Sequence, residues 1–241
     1  MITPIITATP IPLTDNGLLR LMTWLSPSFP VGAYAYSHGA EAAVEMGRVK
    51  DWQTAAAWVG FVLEFGSGRV DADLFVAAYL AADENNAQKF VHVAGSADAL
   101  KGTAELGLES RSQGQAFVDA VEGAWPDKKF SKFVQALTDA EVLPSYAVVV
   151  AAAAAFAQVG LQAALGAYLH GFGANMASAI VRLIPLGQTD GQKIIAALEP
   201  VVQRAMGHAL ERDPNDLGSA ALSVDWLSMK HETQYSRLFR S

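Results

Sequence analysis

The sequence predicts an all-α, single-domain multi-helix bundle, and three observations carry that prediction. Apolar residues recur at helical spacing along most of the chain, and alternating runs of strand length are absent. Helix caps and breakers divide the chain into segments of ordinary helix length. Finally, 51% of the 241 residues are hydrophobic and 17% are charged, enough apolar material for a substantial core in one large unit.

Taken in order, the N-terminal stretch "MITPIITATPIPLTD" lacks a basic region and is interrupted by Pro4, Pro10 and Pro12, so residues 1–17 are expected to be a flexible arm rather than a targeting helix. In "LSPSFPVGAYAYSHGAE", Pro27 and Pro30 stiffen a turn and Gly32 permits a tight bend. Tyr34, Tyr36 and His38 then crowd the start of a helix reaching about Met46. Such a loop either presents amphipathic rings to a partner or closes the core with them.

Asp51 is placed to cap "WQTAAAWVGFVLEF", which should end at Gly66 and Gly68. Asp71 is expected to start "ADLFVAAYLAA", Asp83 to cap the segment that follows, and a further helical region to run from about Asp98 to Val121. Beyond Pro126 lies the helix of "DKKFSKFVQALTDAEV". Alanine is the strongest intrinsic helix former, so Ser145 to about Tyr168 should give one or two buried helices. Their alanine content and Gln158 and Gln162 argue against a membrane span. After "GFG", a helix from about Ala174 to Leu183 is stopped by Pro185. Thr189 and Gln192 have capping-box spacing and should open a helix to about Leu210, with a last helical segment after "DPND".

Composition excludes several function classes. With no cysteine there is no disulfide, thiolate ligand, iron–sulfur cluster or Cys nucleophile, which fits a cytoplasmic setting. A formal charge of −7 gives no broad basic surface for nucleic acid or anionic lipid. The histidines are too widely spaced for a local metal clamp, and in "HETQY" Tyr235 stands where a zinc-binding helix needs its second histidine. "PLGQTDGQK" and "GFGAN" lack the features of phosphate and dinucleotide loops, and no nucleophile elbow is present. An enzyme or small-ligand binder would therefore need distant side chains to converge on a site in the alanine-rich core.

Stretches, rather than catalytic pairs, stand out. Arg182 and Gln188 in "VRLIPLGQTDGQ" have no local role beyond that of a cation and an amide near helix ends. In the last residues, Tyr235, Leu238 and Phe239 fall at i, i+3 and i+4, so a helix there would be apolar on one face with Arg237 and Arg240 on another. Counting from Lys230, three basic residues against Glu232 give this segment a side-chain charge of +2. It either closes the protein's own core or enters a partner's groove.

Three of these stretches, Phe29 to Glu41, Val181 to Gln192 and His231 to Ser241, resemble in order and wording the UreF family of urease accessory proteins, and the likeness extends from about Leu18 to the end. The alanine-rich "LPSYAVVVAAAAAF" is similar too. The resemblance implies an all-helical, usually dimeric, non-catalytic adaptor, with no cofactor of its own. It would join UreD (also called UreH) and the GTPase UreG in a complex that delivers nickel to apo-urease, GTP being bound by UreG. Residues 18–230 would form the helical domain and residues 231–241 a partner-docking tail. Carried over by position, Tyr235, Arg237, Leu238, Phe239 and Arg240 would help dock UreD. Arg182 and Gln188, with Tyr168, would meet UreG near the dimer axis. Tyr36, His38 and Glu41 would be interactive, and Pro30 and Gly32 structural. The chain departs from the family's usual wording at His38, where glutamine is common, at Ala40, where leucine is common, and at Ser145-Tyr146, where Tyr-Pro is frequent.

Overall fold

The computed structural model describes residues 15–241 and builds them from eleven α-helices and one short 3-10 turn, with no strand among the described residues. The helices are α1 (Asp15–Trp24), α2 (Ala40–Glu45), α3 (Trp52–Phe65), α4 (Ser67–Asp83), α5 (Ala87–Ala99) and α6 (Ala104–Ala124). They continue with α7 (Lys128–Asp139), α8 (Tyr146–Phe156), α9 (Leu161–Leu183), α10 (Gln188–Glu211) and α11 (Leu222–Glu232), and the 3-10 turn spans Ala33–Ala35. The expected all-α class holds. The proposed arm falls mostly outside the described residues, and its last part is the first turn of α1.

At the centre lie α4 and α8. Every residue of α8 from Ala147 to Ala155 is buried, because alanine and valine let neighbouring helices approach on all sides. Helix α4 packs against α8, α5, α3, α10 and α9, and its Phe75 and Leu74 sit at the heart of the core. Around this centre, α10 packs on α3 and α9, and α6 on α8. Rings extend the core towards α1: Trp24 meets Phe117 and Trp125 edge-on at 5.9 Å, and Phe29, from the proline-bounded loop, packs on Phe117 at 5.5 Å.

Local chemistry explains most boundaries. Asp51 caps α3 as expected, accepting from Thr54 N at 2.8 Å while Thr54 closes a capping box. Thr103 and Asp127 cap α6 and α7. Five expectations fail for identifiable reasons. Gly68 does not end α3: α4 begins at Ser67, so near α3 that a Cβ on Gly68 would stand 2.7 Å from Leu63 Cα. Asp71 is therefore interior to α4. Asn86 rather than Asp83 caps α5, accepting from Lys89 N at 3.0 Å. "GFG" does not break α9, because Gly171 and Gly173 are contact points, a Cβ on Gly173 meeting Leu198 and Leu63 at 3.2 and 3.4 Å. The Thr189 capping box is not formed, since α10 already starts at Gln188 and has no side-chain cap.

Candidate functional site

The last nine residues follow α11 without forming a helix, and they turn back across α2, α6 and the 3-10 turn. Here the structure corrects the expected amphipathic helix. Phe239 alone of the three apolar residues points inward, at 4% exposure, whereas Tyr235 and Leu238 are exposed. Polar bonding rather than helical periodicity fixes this segment, because its backbone donors are claimed by groups from distant elements.

Its chief anchor is Glu41, on α2. The Glu41 carboxylate accepts from Leu238 N at 2.7 Å and from Phe239 N at 2.9 Å. Backbone pairing adds to this: Arg240 N donates to Ala35 O at 2.8 Å and Ser37 N to Ser241 O at 2.8 Å, with the Ser37 hydroxyl also on the Ser241 oxygen. Ser241 Oγ donates to Glu109 at 2.8 Å. Burial pushes the Glu109 carboxyl above the ordinary carboxylate range, with His38 and the Ser241 hydroxyl opposing that shift. His38 Nδ1 lies 3.0 Å from Glu109 Oε2, but the ring is turned off the line of a hydrogen bond.

His231, in the last turn of α11, is completely buried between two carboxylates. Its Nε2 lies 3.1 Å from Glu41 Oε2 and its Nδ1 lies 2.7 Å from Glu105 Oε2. Arg237 then closes Glu105 from outside, donating from Nη1 to Oε1 at 2.6 Å. The backbone makes room for these groups. His38 and Gly39 both hold positive φ, 52° and 73°, as the chain turns into α2. A Cβ on Gly39 would stand 3.1 Å from Ser228 N, so glycine lets α2 approach α11.

Arg182 joins this assembly from the end of α9. Its guanidinium lies over the Phe239 ring at 4.6 Å and donates to Tyr34 O at 2.8 Å, and partial burial lowers its pKa. Gln188 is exposed at the start of α10. Tyr168 is not part of the same patch. It lies fourteen residues before Arg182 on α9, about 21 Å along the axis. At 2% exposure it is interior, donating to Asp71 at 2.9 Å, and the expected surface position is thereby corrected. Tyr36 and Glu41 are likewise buried in this chain, Glu41 because the C-terminal segment covers it.

What the sequence reading missed is the outer face of α11. Val224, Leu227, Ser228 and His231 face the core, and on the opposite side Leu222, Trp226 and Met229 recur at i, i+4 and i+7, all exposed. Lys230 lies over the Trp226 ring at 5.6 Å. A helix apolar on two opposed faces is a legible signal for a second packing partner, one that was overlooked in favour of the residues after it.

Interior space is small. A cavity of about 50 Å³ is lined by His38, Asp71, Lys101, Glu109 and Tyr168 among others, with Asp71 held by Lys101 at 2.6 Å. That suits a few water molecules, whereas small-molecule sites run to roughly 300 Å³ and more. The alanine-rich α8 contributes only Tyr146 to its wall. Among the described residues no cluster of three or more His, Asp or Glu is arranged to hold a metal ion, and no helix is long and apolar enough to cross a membrane.

Fold and site together define a helical protein whose distinctive surface is its own C-terminal segment, strapped onto buried carboxylates beside a helix with a spare apolar face. Comparison with known proteins agrees with the motif resemblance. The UreF family profile matches residues 49–199. The chain is 45% identical over 227 residues to the urease accessory protein UreF of Granulibacter bethesdensis, covering 94% of this chain and 95% of that one. It is 46% identical over 224 residues to the urease accessory protein UreF of Rhodopseudomonas palustris strain BisB5, covering 93% and 91%. For the urease accessory protein UreF of Bradyrhizobium diazoefficiens the identity is 44% over 224 residues, with coverage of 93% and 91%. The chain belongs to the UreF family of urease accessory proteins.

Proposed function

We propose that this chain is a non-catalytic adaptor in urease maturation, joining UreD (UreH) and the GTPase UreG in a cytoplasmic complex that loads nickel into apo-urease. Family membership supports the setting, and the observation that carries the docking role is the two-faced α11. A helix that buries Val224, Leu227 and His231 while offering Leu222, Trp226 and Met229 to solvent is built to be covered by another molecule. Tyr235 and Leu238 continue the apolar offer beyond the helix, and Lys230 and Arg240 add exposed positive charge to a chain whose formal charge is −7. The partner surface that fits is an apolar groove with an acidic rim, which we assign to UreD. The strapped segment positions this face. Phe239 under Arg182 and the Glu41 bonds hold the segment down, so that Tyr235 and Leu238 point outward.

Arg182, Tyr34 and Gln188 are the side chains we assign to UreG, across a homodimer of this chain. Nickel in this scheme is cargo handled by the complex, and GTP is bound by UreG. Co-expression with UreD and UreG tests the proposal. A ternary complex that co-elutes on gel filtration is expected, and three proteins eluting independently would count against it.

A further inference from the structure

We propose that Glu41, His231 and Glu105 form a proton-operated latch that holds the C-terminal segment in place. The argument is stereochemical. A neutral imidazole carries one N–H and one lone pair, whereas a carboxylate in its ionised form can only accept. Both His231 nitrogens face carboxylate oxygens at hydrogen-bond distance, 2.7 Å to Glu105 and 3.1 Å to Glu41. Both carboxylates are already committed as acceptors: Glu41 receives the Leu238 and Phe239 amides, and Glu105 receives Arg237. The arrangement is therefore satisfied when His231 is an imidazolium donating from both nitrogens.

The charged groups facing the ring agree. Glu41 comes from α2, Glu105 from α6, and Arg237 from the C-terminal segment behind Glu105. With His231 protonated these four groups are neutral as a set, and without the proton a net negative charge remains in a buried place. On the same helix, Glu232 is turned away to accept from Ala104 N at 3.2 Å, and Lys230 is exposed over Trp226. Loss of the proton sets one ring lone pair against a carboxylate. If Glu41 is the one repelled, the two amides it binds lose their common acceptor. The engaged segment thus binds a proton that the released segment need not, and by linkage the engaged fraction falls as pH rises. Release would free Phe239 and withdraw Tyr235 and Leu238 from their outward positions. That consequence for partner capture rests on the docking reading above, but the latch itself does not.

The test uses the full chain without partners. Imidazole nitrogen shifts of His231 should report both nitrogens protonated while the segment is engaged. Amide hydrogen exchange at Leu238 and Phe239, corrected for intrinsic rate, should lose about tenfold or more of its protection as pH is raised from about 6 to about 8.5. In His231→Gln, with helical circular dichroism confirming the fold, protection at these two amides should be low and without that pH dependence. A neutral His231 tautomer with both amides still protected, or protection in the wild-type chain that does not change with pH, overturns the latch. Because no partner is present, either result leaves the docking proposal to stand or fall on its own binding measurements.

Discussion

Helix α8 and the C-terminal segment are both fixed by their own chain, the first buried and the second mostly exposed, and opposite forces hold them. In α8, nine consecutive small apolar residues are buried and the helix is fixed by close packing on α4 and α6. From Thr233 to Ser241 there is no helix, and the chain is fixed by carboxylates and backbone groups contributed by α2, α6 and the 3-10 turn. Packing of the first kind is lost only when the whole protein unfolds. Polar strapping of the second kind can open locally, at a free energy below that of global unfolding, which suits a segment that meets partners.

The largest expected effect is in the packed region. Phe75→Ala removes a completely buried ring from α4 and should cost about 3–5 kcal/mol, read as a lower midpoint in urea unfolding. Should the core absorb that change for under about 1 kcal/mol, the contrast between the two regions would fail. Glu41→Ala strikes the strapped region, leaving two backbone amides and one His231 nitrogen without their acceptor. We expect a loss of about 1–3 kcal/mol and rapid exchange at Leu238 and Phe239, with helix content retained. Deleting residues 231–241 is a harsher change than the sequence suggested, because it also removes buried His231 and Phe239.

Glu109 sharpens the comparison through pH. Its folded pKa is raised by burial, so folding favours its protonated form, and that contribution is full below the ordinary carboxylate range and lost as pH rises through the raised value. Unfolding free energy measured across that range should fall with rising pH, and Glu109→Gln should flatten the decline. A smaller effect is expected for Arg182→Ala, which loses the Phe239 contact and the bond to Tyr34 O. About 0.5–1 kcal/mol of stability should go, together with UreG recruitment, while UreD binding persists. Normal capture of UreG by the variant would remove Arg182 from the docking assignment.

The two regions also differ in how far the sequence revealed them. Asp51 announced α3 because a cap and the amides it serves lie within three residues of each other. The alanine run announced α8 for the same reason, since intrinsic preference and burial agree there. Gly171 and Gly173 misled because their partners, Leu25 on one side and Leu63 and Leu198 on the other, lie far away in sequence. The C-terminal segment is the extreme case. Its periodicity read as a helix, but Glu41 accepts from Leu238 and Phe239 across separations of 197 and 198 residues, which no local pattern encodes. The outer face of α11 was legible, since Leu222, Trp226 and Met229 stand opposite the core-facing residues.

That face carries the central claim and gives its most direct test. Leu222, Trp226 and Leu238 are exposed, so replacing all three by serine should change stability by no more than about 0.5 kcal/mol at each site. The measurement is UreD affinity of this triple variant beside the wild-type chain, with thermal unfolding of both as the control. A docking surface predicts at least a hundredfold weaker UreD binding at a nearly unchanged melting temperature. Wild-type affinity in a folded triple variant would contradict it.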